Sequence, residues 1–250
     1  MIPYPVWQAK RLATLTADDG WLNLTDRVEI PPGPQKLGSA PDSDLVLSVR
    51  PAHLGVLTAT ATDASLTRDG QTHPFTAQTG NPMLRMDDLL LELHTVAGQP
   101  ALRVRDLTLP RAITLPAYPF DPAWVITGRW EALAAPQAQS VDQKGAGPTE
   151  ITPTHRAHFT HDDQQITLLA THWKAGKPMF VIRDATSGAE TYPAGRFLIG
   201  EPQGDHITLD FNRAHNPPCA FTDLAICPLP PRENRMPFAI RAGERKLTGR

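Results

Sequence analysis

The chain has 250 residues, including 26 Pro, 17 Gly and 2 Cys, and a formal net charge of −2 from 24 basic and 26 acidic side chains. That length suits one large domain or two small ones, with a core big enough to fold without disulfide staples. Proline at about twice its usual share of roughly 5% excludes a long helical bundle or coiled coil. The lack of a three-residue glycine period excludes collagen, and the near-zero charge gives no field to draw a nucleic-acid backbone.

The first ten residues carry no apolar signal core, and no uncharged run reaches about 18 residues, so no membrane span is expected. Two cysteines in this length fit a cytoplasmic protein with free thiols, with a Cys219–Cys227 disulfide open if the protein is exported. The helical pattern falls at residues 7–16, inside an N-terminal segment 1–19, where Trp7, Leu12 and Leu15 form an apolar stripe. Beyond it nearly everything reads as strand. Short β runs lie at Trp21–Thr25, Asp44–Ser48 and Leu54–Thr60, and residues 89–96 and 101–107 pair across the Gly98 turn. Pro110, Pro116, Pro119 and Pro122 read as a stiff linker over 110–122, since each denies a ladder donor. Strand structure resumes at 125–130, and the Ala-, Gln-, Pro- and Gly-rich stretch 134–148 reads as an exposed, mobile loop. A two-residue turn at Asp162-Asp163 predicts a hairpin with Ala157 and Phe159 on the same face as Ile166, Leu168 and Ala170. Strands at 177–182, 195–199 and 206–213 complete the sheet, the last with Ile207, Leu209 and Phe211 on one face and Asp210 and Asn212 on the other.

Gly38-Ser39-Ala40-Pro41-Asp42-Ser43-Asp44-Leu45-Val46-Leu47, followed by Pro51-Ala52-His53, resembles the forkhead-associated fold over roughly residues 20–110. In that family a Gly-Arg-Ser turn precedes an Asp-Ile-x-Leu strand, and a Ser-Arg-x-His loop follows. Here the phosphate-binding Arg is missing, because Gly38 leads straight into Ser39, and Pro51-Ala52 stands where the Ser-Arg pair would be. The resemblance therefore implies a β-sandwich without phosphothreonine capture. His53, the one position of that loop that matches, reads by itself as a loop-packing residue.

Three blocks carry most of the polar residues: Arg183-Asp184-Ala185-Thr186-Ser187-Gly188, Asp210-Phe211-Asn212 with Asn216-Pro217-Pro218-Cys219-Ala220, and Cys227-Pro228-Leu229-Pro230-Pro231 with Glu233-Asn234. With Asp121-Pro122-Ala123-Trp124 upstream, they resemble the bacterial and archaeal family known as domain of unknown function sixteen-eighty-four over about residues 118–245. His215 stands where an aromatic is more usual. This resemblance implies no established activity, so the residues are read by their chemistry.

A pair such as Arg183–Asp210 or Arg196–Glu190 makes a bidentate ion pair. Either it orients an anionic ligand, with Asp184, Tyr192, Asn212, Asn216, Glu233 and Asn234 as further contacts, or it is a buried polar network that holds the Pro-rich loop. Cys219 and Cys227, spaced C-x7-C, are open to three readings: buried packing, a redox pair, or a metal or nucleophile site. In the nucleophile reading Cys219 attacks, His215 or His206 is the base and Asp210 supports it. His155, His158 and His161 cannot converge on a metal from one strand, though His155 and His172 are diagonal neighbours on one face. No Walker, dinucleotide, nucleophile-elbow or zincin motif is present, and no cofactor is expected.

The expected architecture is mainly β. A short N-terminal helix precedes a forkhead-associated-like sandwich over 20–109, a linker over 110–122, and a β-sheet-rich domain over 123–250 with a Pro-rich capping loop. The leading expectation for function is binding of a small anionic ligand, with no nucleic-acid or membrane partner. The alternatives are a hydrolytic or thiol-dependent enzyme in the same cleft and an interaction module in the first part; a homodimer stays open.

Overall fold

The computed structural model describes residues 2–77, 80–96, 98–136 and 138–248. It is mainly β and divides into two compact units, residues 13–112 and residues 1–12 with 113–250. Helix α1 (Tyr4–Thr16) begins three residues earlier than its apolar stripe, because Pro5 in the first turn has no intrahelical bond to lose. Among the described residues no helix is long and apolar enough to cross a membrane.

The N-terminal unit contains β1 (Leu24–Glu29), β2 (Gln35–Gly38), β3 (Leu45–Val46), β4 (Gly55–Ala59), β5 (Ala64–Arg68), β6 (Gln71–Pro74), β7 (Met83–Met86), β8 (Leu89–Val96) and β9 (Gln99–Asp106). They form one sheet in the order β3-β2-β4-β5-β6 and another in the order β1-β9-β8-β7. Alternation turns Leu37, Leu57 and Leu66 of the first sheet and Leu91, Leu93, Leu102 and Val104 of the second into one shared core. The β8–β9 hairpin pairs in register down to Val96 opposite Gln99. Residue 97 of its turn lies outside the described residues.

The second unit is built on β10 (Val125–Ala132), β11 (Gln139–Lys144), β12 (Ala146–Ile151), β13 (His155–His161), β14 (Gln164–Leu169), β15 (His172–Lys174), β16 (Lys177–Ile182), β17 (Arg196–Gln203), β18 (His206–Asp210) and β19 (Cys227–Pro228). Seven of them form a curled antiparallel sheet in the order β14-β13-β10-β18-β17-β16-β15. The curl brings Ala157, Phe159, Ile166 and Leu168 from one side of the sheet and Phe180, Ile182 and Leu198 from the other into one core, completed by Ile207, Leu209 and Phe211. The β13–β14 hairpin has the expected register, with Ala157 opposite Leu168 and Phe159 opposite Ile166. Its turn residues Asp162 and Asp163 both take positive φ, the geometry a two-residue turn needs to match strand twist.

Residues 113–122 are anchored to the second unit: Ala117 bridges Glu244, the Tyr118 amide donates to the Gly243 carbonyl at 3.0 Å, and Asp121 caps the 3-10 turn Pro122–Trp124. Two expectations are corrected. The stretch 134–148 is not simply a loop. It supplies β11 and the start of β12, which join β19 in a three-stranded sheet. Polar composition hid these strands, whose buried residues are only Val141 and Ile151. Asn212 does not continue β18, because that strand ends at Asp210, whose carboxylate caps the 3-10 turn Phe211–Arg213.

Candidate functional site

The polar blocks separate into a buried network and an open cleft. At the end of β16 the chain bends, and Asp184 holds the bend: its Oδ1 accepts from the Thr186 amide at 2.9 Å, the Thr186 hydroxyl at 2.6 Å and the Ile240 amide at 3.1 Å. Its Oδ2 accepts from Arg196 Nη2 at 2.8 Å, both side chains being 1% exposed. Arg196 Nη1 donates to the carbonyls of Ala242 and Glu244, and Nη2 also donates to that of Ile240. Asn234 makes three bonds with backbone: Leu169 N–H donates to Oδ1 at 2.7 Å, and Nδ2 donates to the Leu169 and Val181 carbonyls at 2.9 and 3.0 Å. It thus ties β14 to β16 across the curl of the sheet.

Asp210 and Asn212 are likewise internal. Asp210 accepts from Arg213 Nε at 2.7 Å and from Asn212, while Asn212 exchanges two 2.9 Å bonds with the backbone of Asp121. Asn216 donates its amide to Glu244 Oε2 at 2.7 Å, and Glu244 is paired with Arg11 of α1 at 2.8 Å. Glu190 accepts from the Tyr118 hydroxyl at 2.8 Å and pairs with Arg241, not Arg196. The pairs Arg183–Asp210 and Arg196–Glu190 therefore do not form. Arg196, Asp184, Asp210, Asn212 and Asn234 are committed to the fold rather than open to a ligand.

The nucleophile–base pair does not form either. His215 Nδ1 lies 3.0 Å from the Arg213 carbonyl, and its ring packs edge-on to Trp7 and Phe197. Burial, with Arg11 and Lys174 behind it, pushes its pKa down to about 3. His206 is exposed and pairs with Asp205. Among the described residues, no hydrogen bond joins either His to Cys219. The three histidines of β13 are engaged elsewhere: His155 stacks on Trp130, His158 bonds Thr167 and Glu131, and His161 stacks on Trp124.

Cys219 sits in the 3-10 turn Pro218–Ala220, and Cys227 opens β19 opposite Lys144. Both are free and buried, and the Cys219 amide donates to Cys227 Sγ at 3.3 Å. The hydrogen bond from Cys227, with help from Tyr192 and the Lys144 ammonium, lowers the Cys219 thiol to about 7 against the opposing effect of burial. The same hydrogen bond and burial drive Cys227 upward.

Lys144 and Tyr192, which both donate to the Cys219 carbonyl, also line a cleft of about 410 Å³ with Arg183, Arg235 and a wall of Pro193, Ala194, Leu229 and Pro230. A parallel bridge between Arg183 and Arg235 sets the two guanidinium groups on neighbouring backbones. Arg183 is exposed and has no ion pair among the described residues. Arg235 donates from Nε and Nη2 only to the Pro230 carbonyl, both at 3.3 Å. Lys144 reaches the Tyr192 oxygen at 3.0 Å, and Tyr192 donates to the Cys219 carbonyl at 2.6 Å. The carboxylate paired with Lys144 is Asp223, which is 97% exposed. Burial pushes Tyr192 up to about 12, so it remains a neutral phenol. Three cations thus border one cleft whose lining contains no acid.

Of the residues expected from sequence, Arg183 and Tyr192 meet here. Glu233 lies instead at a separate cavity of about 470 Å³ beside Arg156 and Thr167. Lys144 and Arg235 were missed. Lys144 falls in the stretch 134–148, whose composition reads as a loop, and Arg235 stands one residue beyond the Glu233-Asn234 pair.

Fold and cleft together define a two-unit, mainly β protein whose second unit couples a curled sheet to a cationic pocket. Residues 113–245 match the family described as "Protein of unknown function (DUF1684)", and the chain belongs to that family. No curated protein matches. Among solved structures, the chain is similar to an uncharacterized protein of Haloarcula marismortui determined by solution NMR, at 28% identity and a TM-score of 0.45, covering 54% of this chain and 78% of that one.

Proposed function

We propose that the protein binds a small anionic molecule, a carboxylate or phosphate with a compact apolar body, in the cleft of Lys144, Arg183, Tyr192 and Arg235. The observation that carries this reading is the Arg183 guanidinium, exposed at the cleft with no acidic partner beside two further cations. Guanidinium groups on adjacent backbones suit two oxygens of one oxyanion, and the Lys144 ammonium adds a point charge. Pro193, Ala194, Leu229 and Pro230 give the apolar body a rigid wall.

Titrating inorganic phosphate and a short dicarboxylate into isotopically labelled protein tests this. Saturable amide shifts gathered at Lys144, Arg183, Tyr192, Ala194, Leu229 and residues 232–235 are expected. Shifts scattered over the surface, or none, contradict it.

We further propose that the N-terminal unit is a degenerate forkhead-associated sandwich. Support comes from Gly38, where a Cβ would come within 2.1 Å of the Ala52 carbonyl oxygen. The backbone at Gly38 and the loop carrying His53 are thus pressed together. His53 itself is exposed.

A further inference from the structure

Cys219 and Cys227 are the chain's only cysteines, and they lie against each other. The short turn after Pro217-Pro218 aims the Cys219 amide at Cys227 Sγ, 3.3 Å away, and so brings the two residues into direct contact. Neither the anion cleft nor the buried network uses either sulfur. We propose that this dithiol is an oxidation site for hydrogen peroxide, with Cys219 as the attacking thiol and Cys227 as the resolving thiol. The inference does not rest on anion binding in the cleft.

Three observations support it. Lys144 and Tyr192 converge on the Cys219 carbonyl at 3.2 and 2.6 Å, which places an ammonium and a phenol beside the residue that must carry negative charge. The surroundings separate the two sulfurs into a readily ionised Cys219 and a Cys227 held as thiol. Each residue is 3% exposed, which restricts access to a reagent about the size of water; peroxide meets that limit and bulky disulfides do not.

The chemistry balances. The Cys219 thiolate attacks one peroxide oxygen, the O–O bond breaks, and hydroxide leaves and takes a proton, giving the sulfenic acid. Cys227 Sγ then attacks Cys219 Sγ, the S–O bond breaks, and the departing hydroxide takes the Cys227 proton. Two thiols lose two electrons and two protons, the peroxide gains them, and two waters form.

Both cysteines fall in one tryptic peptide, residues 214–232, which makes the test direct. The folded protein is exposed to hydrogen peroxide, quenched, denatured, alkylated and digested. The expected peptide carries no alkyl group, is lighter by two hydrogens, and accepts two alkyl groups after reduction. A peptide that carries two alkyl groups, or a sulfinic acid at Cys219 with Cys227 alkylated, overturns the proposal. In Cys227→Ser the Cys219 sulfenic acid should persist and be captured by dimedone; no capture in a folded variant also counts against it. Should that variant not fold, the wild-type peptide decides alone.

Discussion

Arg196 and Asp184 illustrate what the polar motifs do at the scale of single residues. Each guanidinium and carboxylate bond is spent inside the fold, so removing one partner leaves a buried charge uncompensated. Arg196→Met should cost about 3–5 kcal/mol in denaturant unfolding, the usual result of breaking a buried pair. Asn234→Ala strands the Leu169 amide and two carbonyls, each worth roughly 1–3 kcal/mol when buried and unpaired.

His215 makes a pH prediction. Its imidazole ionises near 6.5 in the unfolded chain and only at about 3 in the fold. Between those values the unfolded state binds the proton and the native state does not. Stability therefore falls on acidification through that interval, by at most about 1.4 kcal/mol per pH unit from this group. Chemical denaturation at a series of pH values should show a shallower acid slope for His215→Phe than for the wild type; equal slopes would rule out the His215 contribution.

The element scale shows where sequence pattern was legible and where it was not. The β13–β14 hairpin could be read because period-two alternation and an Asp162-Asp163 turn agree on one register. The β-rich character was equally plain, since proline suppresses long helices and apolar runs stay short. The β11–β12 hairpin could not be read. A three-stranded sheet with one buried residue per strand leaves no alternation to find, and its turn depends on Gly145 at φ +87°. Partners at long range were also hidden: nothing local in the chain says that Arg196 meets Asp184, or that Arg11 in α1 meets Glu244.

Gly243 makes a further test at this scale. It sits at φ +81°, and an added Cβ would come within 2.4 Å of the Ala214 carbonyl oxygen. Gly243→Ala should therefore destabilise the protein by more than about 1 kcal/mol in thermal or denaturant unfolding, through both strain and the displaced contact. A neutral result would mean that the segment from Phe238 to Glu244 is free to move away.

At the scale of the whole molecule, charge is sorted rather than balanced by region. The chain's net charge of −2 conceals a pocket bordered by three cations and a network in which acids and bases are paired one against another. Sequence placed Arg183 and Arg196 together as ligand contacts because they share a motif-rich stretch. Geometry separates them: Arg196 faces inward from the first position of β17, while Arg183 lies one residue past β16 and points out of the core. The prolines of the 217–237 segment serve both environments, bracketing the cysteines on one side and walling the cleft on the other.

Arg196 is committed to the fold, whereas Arg183 is exposed at the cleft and is the arginine proposed to meet an anion. Thermal melting of the wild type and of Arg183→Ala, each with and without inorganic phosphate, tests it most directly. Without phosphate the variant should melt with the wild type, within the roughly 0.5 kcal/mol expected of a surface change. With phosphate, the wild type should rise in melting temperature and the variant should lose that rise. A variant that melts well below the wild type without anion, or one that gains as much from phosphate as the wild type does, would contradict it.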